Sequence, residues 1–208
     1  MQANPQKNVP AIEPTVWRLD TAHTSVEFSV KTFFFFTVRG RLAVREGNIV
    51  LDEARIGESS VEATFKSDSV DTGSKRRDAY FKSAGFLFAD HYPDIEFRSS
   101  RIEAGKDRDT FLVEGLLKIR GQHRTVQFNV DQFDRSRSPN GEEVIYYVAT
   151  TEIDRSAFGI HGGRRLIGRS VKVTLVREGG TVAVMRFDVA RGGGREDFRV
   201  PRRLRQLE

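Results

Sequence analysis

Apolar and polar residues alternate with a period of two through most of this chain. Val26, Phe28 and Val30 alternate with Glu27, Ser29 and Lys31, and Val38, Leu42 and Val44 alternate with Arg39, Arg41 and Arg45, with Gly40 on the apolar parity. Val61, Ala63 and Phe65 oppose Glu62, Thr64 and Lys66, while Ile95 and Phe97 oppose Asp94, Glu96 and Arg98. Phe111, Val113, Leu117 and Ile119 then face away from Glu114, Lys118 and Arg120, and Val126, Phe128 and Val130 from Gln127, Asn129 and Asp131. Residues 143–153 and 169–176 bring the set to about eight strands. Successive side chains of a strand point to opposite faces, so each of these strands has one apolar and one polar face. That pattern predicts an all-β protein, an antiparallel barrel or sandwich.

The connections read as hairpins. Gly47-Asn48, Gly121-Gln122 and Ser138-Pro139-Asn140-Gly141 carry turn chemistry between strand patterns. VRGRLAV at Val38 and VEGLLKI at Val113 echo each other, with Gly two residues after Val. Either an internal duplication or a Gly at a strongly bent strand accounts for the echo. Only Arg76 to Ala84 reads as a short helix. It lies within the stretch from Arg76 to Phe97, which packs Tyr80, Phe81, Phe86, Phe88, Tyr92 and Phe97 into a segment without a clean helical stripe. Such a segment is expected to act as a lid. A closed eight-stranded barrel has no free sheet edges, and its interior is either filled by side chains or holds one small ligand. The sequence carries 16 Phe and one Trp, many on the inward parity, and both interiors stay open.

Composition narrows the picture. The 208 residues suit one domain over residues 15–177, with an N-terminal extension over 1–14 and a C-terminal one over 178–208. Within the latter, residues 181–189 alternate well enough to add a strand or to pack a neighbouring subunit in a homodimer. The net charge is +5, and residues 181–208 hold seven Arg against four acids. The Gly- and Arg-rich tail from Arg191 is read as solvated, with weak, nonspecific contact to a nucleic acid backbone or anionic membrane surface within its reach. With no Cys, disulfides and thiolate metal sites are excluded. The first 16 residues show no apolar run, which reads as cytoplasmic residence.

Several ordered motifs point further. WRLDTAHTSVEFSV, TVRGRL, DTGSKRRDAYFKSAGFLFADHYPDIEF, VEGLLKIRGQHRTVQFNV and IDRSAFGI together resemble the YceI-like family of polyisoprenoid-binding, lipocalin-like barrels, from about Trp17 to Val176. The resemblance implies an eight-stranded antiparallel lipocalin-like barrel with a short helix-containing crossover. It also implies a tunnel for a long isoprenoid, an isoprenoid quinone or a similar amphiphile, bound as ligand with no cofactor required. Together with the inward parity it points to an apolar lining of Phe28, Val30, Phe34, Phe36, Phe65, Phe86, Phe88, Phe97, Leu117, Phe128 and Phe158. Two departures concern polar positions: Thr32 and Tyr80 stand where many relatives carry His. Tyr80 thereby marks a place where headgroup choice differs. Phe33 to Phe36 replaces a region that usually includes Gly, and four consecutive aromatics cannot all face inward along a strand. At least one belongs on a rim, an interface or a membrane surface.

The remaining polar clusters weigh toward structure. Asp154-Arg155-Ser156 is expected to lock a turn as an ion pair, and Arg77-Asp78 to organise a helix start. His23, His91, His123 and His161 are scattered without metal-ligand spacing. His161-Gly162-Gly163-Arg164-Arg165 offers backbone donors and two guanidiniums, so His161, Arg164 and Arg165 join Tyr80 as candidates for a headgroup at the barrel mouth. The sequence thus reads as a carrier or sequestering protein for an apolar chain, not an enzyme, with no catalytic and no metal residues. A packed-core adaptor using its basic tail, and an enzyme with a lumenal acid or base, are the other readings.

Overall fold

In the computed structural model, which describes residues 14–33, 35–107, 109–137, 141, 143–177 and 183–187, the alternating segments form one antiparallel sheet of ten strands. In chain order these are β1 (Thr15–Leu19), β2 (Thr24–Thr32), β3 (Phe36–Leu51), β4 (Ser60–Lys66), helix α1 (Lys75–Lys82), β5 (Asp94–Ala104), β6 (Thr110–Ile119), β7 (Gln122–Arg137), β8 (Glu143–Asp154), β9 (Ile167–Arg177) and β10 (Ala183–Phe187). From β2 to β9 each strand pairs with the next, and β9 also pairs with β2, so eight strands close a ring. Closure removes the edges that would otherwise template aggregation. No described helix is long and apolar enough to cross a membrane.

The barrel exchanges two strands between its ends. Toward one end, β2 covers the first half of β3 through Val26↔Leu42 and Thr32↔Phe36; toward the other, β1 takes over the same edge through Trp17↔Ile49. On β8 the exchange repeats, with β9 on Ala149 to Asp154 and β10 on Glu143 to Tyr147. Because β1 pairs with β10, the second end closes as well. Residues 183–187 thus extend the wall.

Gly47-Asn48 does not turn the chain, contrary to its sequence signature. β3 runs straight through it, with Gly47 paired to Ala63 and Asn48 to Arg18 and Glu62. The glycine is there for space: the side chain of Leu19 occupies the position a Cβ would need. A register shift between Val44 and Glu46 moves the inward parity from Val44 to Gly47 and Ile49, which a strict period of two does not anticipate. The β6–β7 hairpin turns on Arg120 and Gly121, both left-handed at φ 51° and 71°, one residue earlier than the sequence suggested. Two positive φ values suit a two-residue turn whose twist matches the strands.

The two glycines of the Val-x-Gly echo have one physical reason in common. Gly40 pairs with Phe28, and a Cβ on it would lie 2.5 Å from that ring; a Cβ on Gly115 would lie 2.6 Å from the ring of Phe97 and against the Arg98 carbonyl. Each glycine lets an inward ring lie flat across the neighbouring strand. Gly115→Ala is therefore expected to cost about 1–3 kcal/mol through overpacking against backbone that cannot yield. Thermal unfolding checks it, and a melting temperature unchanged from the parent would refute the crowding.

Candidate ligand cavity

The crossover from β4 to β5 decides the shape of one barrel end. It starts by strapping itself to the wall: Asp71 and Arg41 exchange backbone hydrogen bonds of 2.8 and 3.0 Å, and Ser69 Oγ accepts from the Ala43 N–H at 2.8 Å. Thr72 then anchors α1. Its N–H and hydroxyl both donate to Asp78, at 2.8 and 2.5 Å, while Arg77 donates to its hydroxyl and carbonyl. These bonds hold the Asp78 carboxyl below its ordinary pKa, the Thr72 hydroxyl contributing most. With α1 fixed, Phe81 and Phe86 point down into the barrel with ring centroids 5.0 Å apart, and Phe81 meets the wall at Phe28, 5.8 Å away. Both are buried. The lid expected from the sequence is in place.

Beneath it lies a cavity of about 230 Å³. Phe28 and Val30 on β2, Leu42 on β3, Phe65 on β4, Ile95 and Phe97 on β5, Leu117 on β6, Phe128 on β7, and Val171 and Val173 on β9 line it, with Phe81, Phe86 and Leu87 from the crossover. Phe97 and Phe128 pack edge to face at 5.0 Å. Among the lining side chains on β7 and β9, Phe128, Val130, Val171, Val173 and Leu175 are only half-buried. They face empty space, where a filled core would cover them.

Polar groups on this lining are few: Ser59, Tyr147, Thr151 and Arg155. Burial pushes the Tyr147 hydroxyl up to about 12. Arg155 follows β8 in a short 3-10 turn, where the Asp154 carboxylate accepts from the Ser156 N–H at 2.8 Å and caps the turn. The Ser156 hydroxyl and that N–H together hold the Asp154 carboxyl below its ordinary range. Arg155 makes no hydrogen bond to Asp154, unlike the ion pair expected from the triplet. It donates instead to the carbonyls of Gly168 at 2.8 Å, Ile160 at 3.1 Å, Gly162 at 2.7 Å and Ile167 at 2.9 Å. Burial draws its pKa below the ordinary value, although a guanidinium stays protonated. Its charge also lies 5.9 Å above the Phe86 ring, a cation–π contact. One buried cation thus ties the 160–168 loop to the lid, and the Gly162 N–H completes the latch by donating to the Gly85 carbonyl at 2.7 Å.

Of the residues predicted for the lining, Phe28, Val30, Phe65, Phe86, Phe97, Leu117 and Phe128 face the cavity. Three others do not. Phe36 is exposed, because β3 begins at the hairpin tip, beyond the rim. Phe88 sits in a left-handed turn at φ 50° and stacks on His91 with ring centroids 5.0 Å apart, which draws it off the lumen. Phe158 is fully buried, but as the last residue of the 3-10 turn it packs within the core and not along the cavity. Phe34 lies outside the described residues. Tyr80 packs 4.7 Å from Phe86 on top of the lid, with its side chain half open to solvent. His161, Arg164 and Arg165 are exposed on the loop at the same barrel end. None of these four lines the cavity, so they surround the lid from outside. Val171 and Val173 were missed although their parity on β9 pointed inward. Tyr147 and Arg155 had no comparable signal. Among the described residues, no group of His, Asp or Glu side chains is arranged to hold a metal ion.

Comparisons with known proteins agree with this architecture. A family model described as YceI-like domain matches residues 17–178. A UPF0312 protein of Shewanella denitrificans is 28% identical over 171 residues, covering 81% of this chain and 89% of that protein. Among solved structures, BcnA of Burkholderia cenocepacia superposes with a TM-score of 0.66 at 21% identity, over 80% of this chain and 98% of BcnA. A polyisoprenoid binding domain from Saccharophagus degradans, implicated in plant cell wall breakdown, superposes with a TM-score of 0.56 at 15% identity, over 83% of this chain and 98% of that domain. At these identities the structural likeness speaks for the fold.

Proposed function

Because the chain belongs to the YceI-like family, we propose that it binds the apolar chain of a polyisoprenoid, an isoprenoid quinone or a similar amphiphile inside the barrel, as a carrier or sequestering protein. The observation that carries this reading is the row of inward, apolar yet only half-buried side chains on β7 and β9. Leaving such surface uncovered forgoes packing that a structural protein would use. The neighbouring polyisoprenoid binding domain lends the ligand class. A five-carbon isoprene unit gains about 3–4 kcal/mol on leaving water, at roughly 0.8 kcal/mol per CH₂, and the ordering of a flexible chain opposes part of that.

The lid sets a condition on entry. The cavity of about 230 Å³ is roofed by Phe81 and Phe86 of the crossover. We expect a long isoprenoid to enter by displacing these two rings, which makes the lid part of the binding event. The lining supports binding without chemistry: its titratable groups are Tyr147 and Arg155, neither of which exchanges a proton readily near neutrality. Native mass spectrometry of the purified full-length protein, with and without added ubiquinone, tests the proposal. A copurifying lipid or a one-to-one quinone adduct is expected, and absence of both would overturn it.

A further inference from the structure

The hairpin between β2 and β3 presents apolar surface that the barrel does not use. Phe33, Phe35 and Phe36 are 55%, 89% and 69% exposed, and Leu166 beside them is 49% exposed. The group is held in place: the Phe33 N–H donates to the Leu166 carbonyl at 2.7 Å, and the Thr32 hydroxyl donates to the Phe36 carbonyl at 3.3 Å. Phe33 occupies the left-handed region at φ 49°, where Gly or Asn would be less strained. A ring kept in a strained backbone conformation and pointed into water does little for folding, and such outliers cluster at functional sites.

The segments that form the tip carry charge of one sign: residues 28–40 hold Lys31 and Arg39 and no acid, and residues 161–169 hold Arg164, Arg165 and Arg169 and no acid. Lys31, Arg164 and Arg165, on the two segments that meet at the tip, are all exposed. Aromatic rings on a convex tip, flanked by Lys and Arg, match the interface of an anionic bilayer, where rings sink to the headgroup level and cations meet lipid phosphates. A nucleic acid would instead need a groove or platform on which bases stack. Location strengthens the case: Val30 and Ile167, within three residues of Phe33 and one of Leu166, line the cavity. The apolar surface of the tip runs on into the barrel wall.

We propose that this end of the barrel docks on anionic lipid bilayers, with Phe33, Phe35, Phe36 and Leu166 inserting at headgroup depth and Lys31, Arg164 and Arg165 contacting lipid phosphates. Docking brings the lidded end of the cavity to the apolar phase, yet the contact itself does not depend on any ligand in the barrel. The test is cosedimentation of the full-length protein with vesicles of phosphatidylcholine and phosphatidylglycerol at three to one, against phosphatidylcholine alone. Binding to the anionic vesicles alone is expected, weakening as salt rises. Arg164→Gln with Arg165→Gln is expected to reduce it about 25-fold, at about fivefold per cation. Phe33→Asn, Phe35→Ser and Phe36→Ser together are expected to abolish it, with the melting temperature unchanged or raised. A Phe35→Trp variant keeps the test independent of those substitutions, because its new indole should be quenched by brominated lipid while the buried Trp17 is not. Absence of vesicle binding, retention of full binding by both sets of variants, an unquenched indole, or loss of oligonucleotide binding in place of vesicle binding would each overturn the proposal.

Discussion

Replacing Arg155 by Ala is expected to destabilise the protein by about 3–5 kcal/mol, the range for removing one partner of a buried charged network. The side chain spans four carbonyls, of Ile160, Gly162, Ile167 and Gly168. Its loss leaves those acceptors without donors where water reaches them poorly, at about 1–3 kcal/mol for each that stays buried. Because Gly162 also donates to Gly85, the damage should spread from the loop to the lid. Arg155→Lys should recover little, since an ammonium is a point charge and cannot reach four acceptors arranged around a plane. For a domain of this size the melting temperature should fall by about 10–15 °C. Hydrogen exchange at Gly162 and Phe86 should accelerate beyond that of strands β5 and β6. If Arg155→Met unfolds within about 1 kcal/mol of the parent, the guanidinium is only filling space and the latch does not exist.

This residue also marks where sequence reasoning stops. The ring of strands was legible because alternation is local: Val126, Phe128 and Val130 announce their face without knowledge of any partner. The lid was legible for a similar reason, as a run of aromatics without a helical stripe. Arg155 was misread because its neighbours in sequence, Asp154 and Ser156, supply an obvious local pairing, whereas its partners lie 5 to 13 residues downstream and offer only backbone. Gly47 failed likewise. Gly-Asn is a turn signature, yet the glycine answers to Leu19, which no local pattern links to it. Phe36 and Phe88 show a third kind of failure. Their parity or composition placed them inward, but left-handed backbone at Phe33 and Phe88 redirects the chain at those points, and aromatic residues give no warning of a conformation that Gly or Asn would signal. The cavity itself was undecidable from sequence, because a packed and a hollow barrel use the same inward residues and differ in how completely those residues cover one another.

Phe128→Glu is expected to abolish uptake of an isoprenoid quinone at neutral pH, by more than 100-fold, and to restore it in acid. The position faces the cavity against Phe97, and the cation on the lining, Arg155, already donates to four backbone carbonyls. An apolar ligand entering beside that charge would strip its water, at a cost of several kcal/mol. The protein can avoid the cost only by protonating the carboxyl. Desolvation raises its pKa above the usual value of about 4.3, so the neutral form gains as pH falls through the raised value, and uptake should return on that side. Phe128→Leu, which keeps the wall apolar, should bind at all these pH values. The profile separates the possible interiors. In a hollow barrel the folded fraction at neutral pH stays near that of Phe128→Leu, because the introduced carboxylate can keep water in the empty lumen. In a packed core the same substitution unfolds the chain, and circular dichroism would show the loss before any ligand is added. Uptake that is equal for Phe128→Glu and Phe128→Leu at neutral pH would place the quinone somewhere other than this cavity.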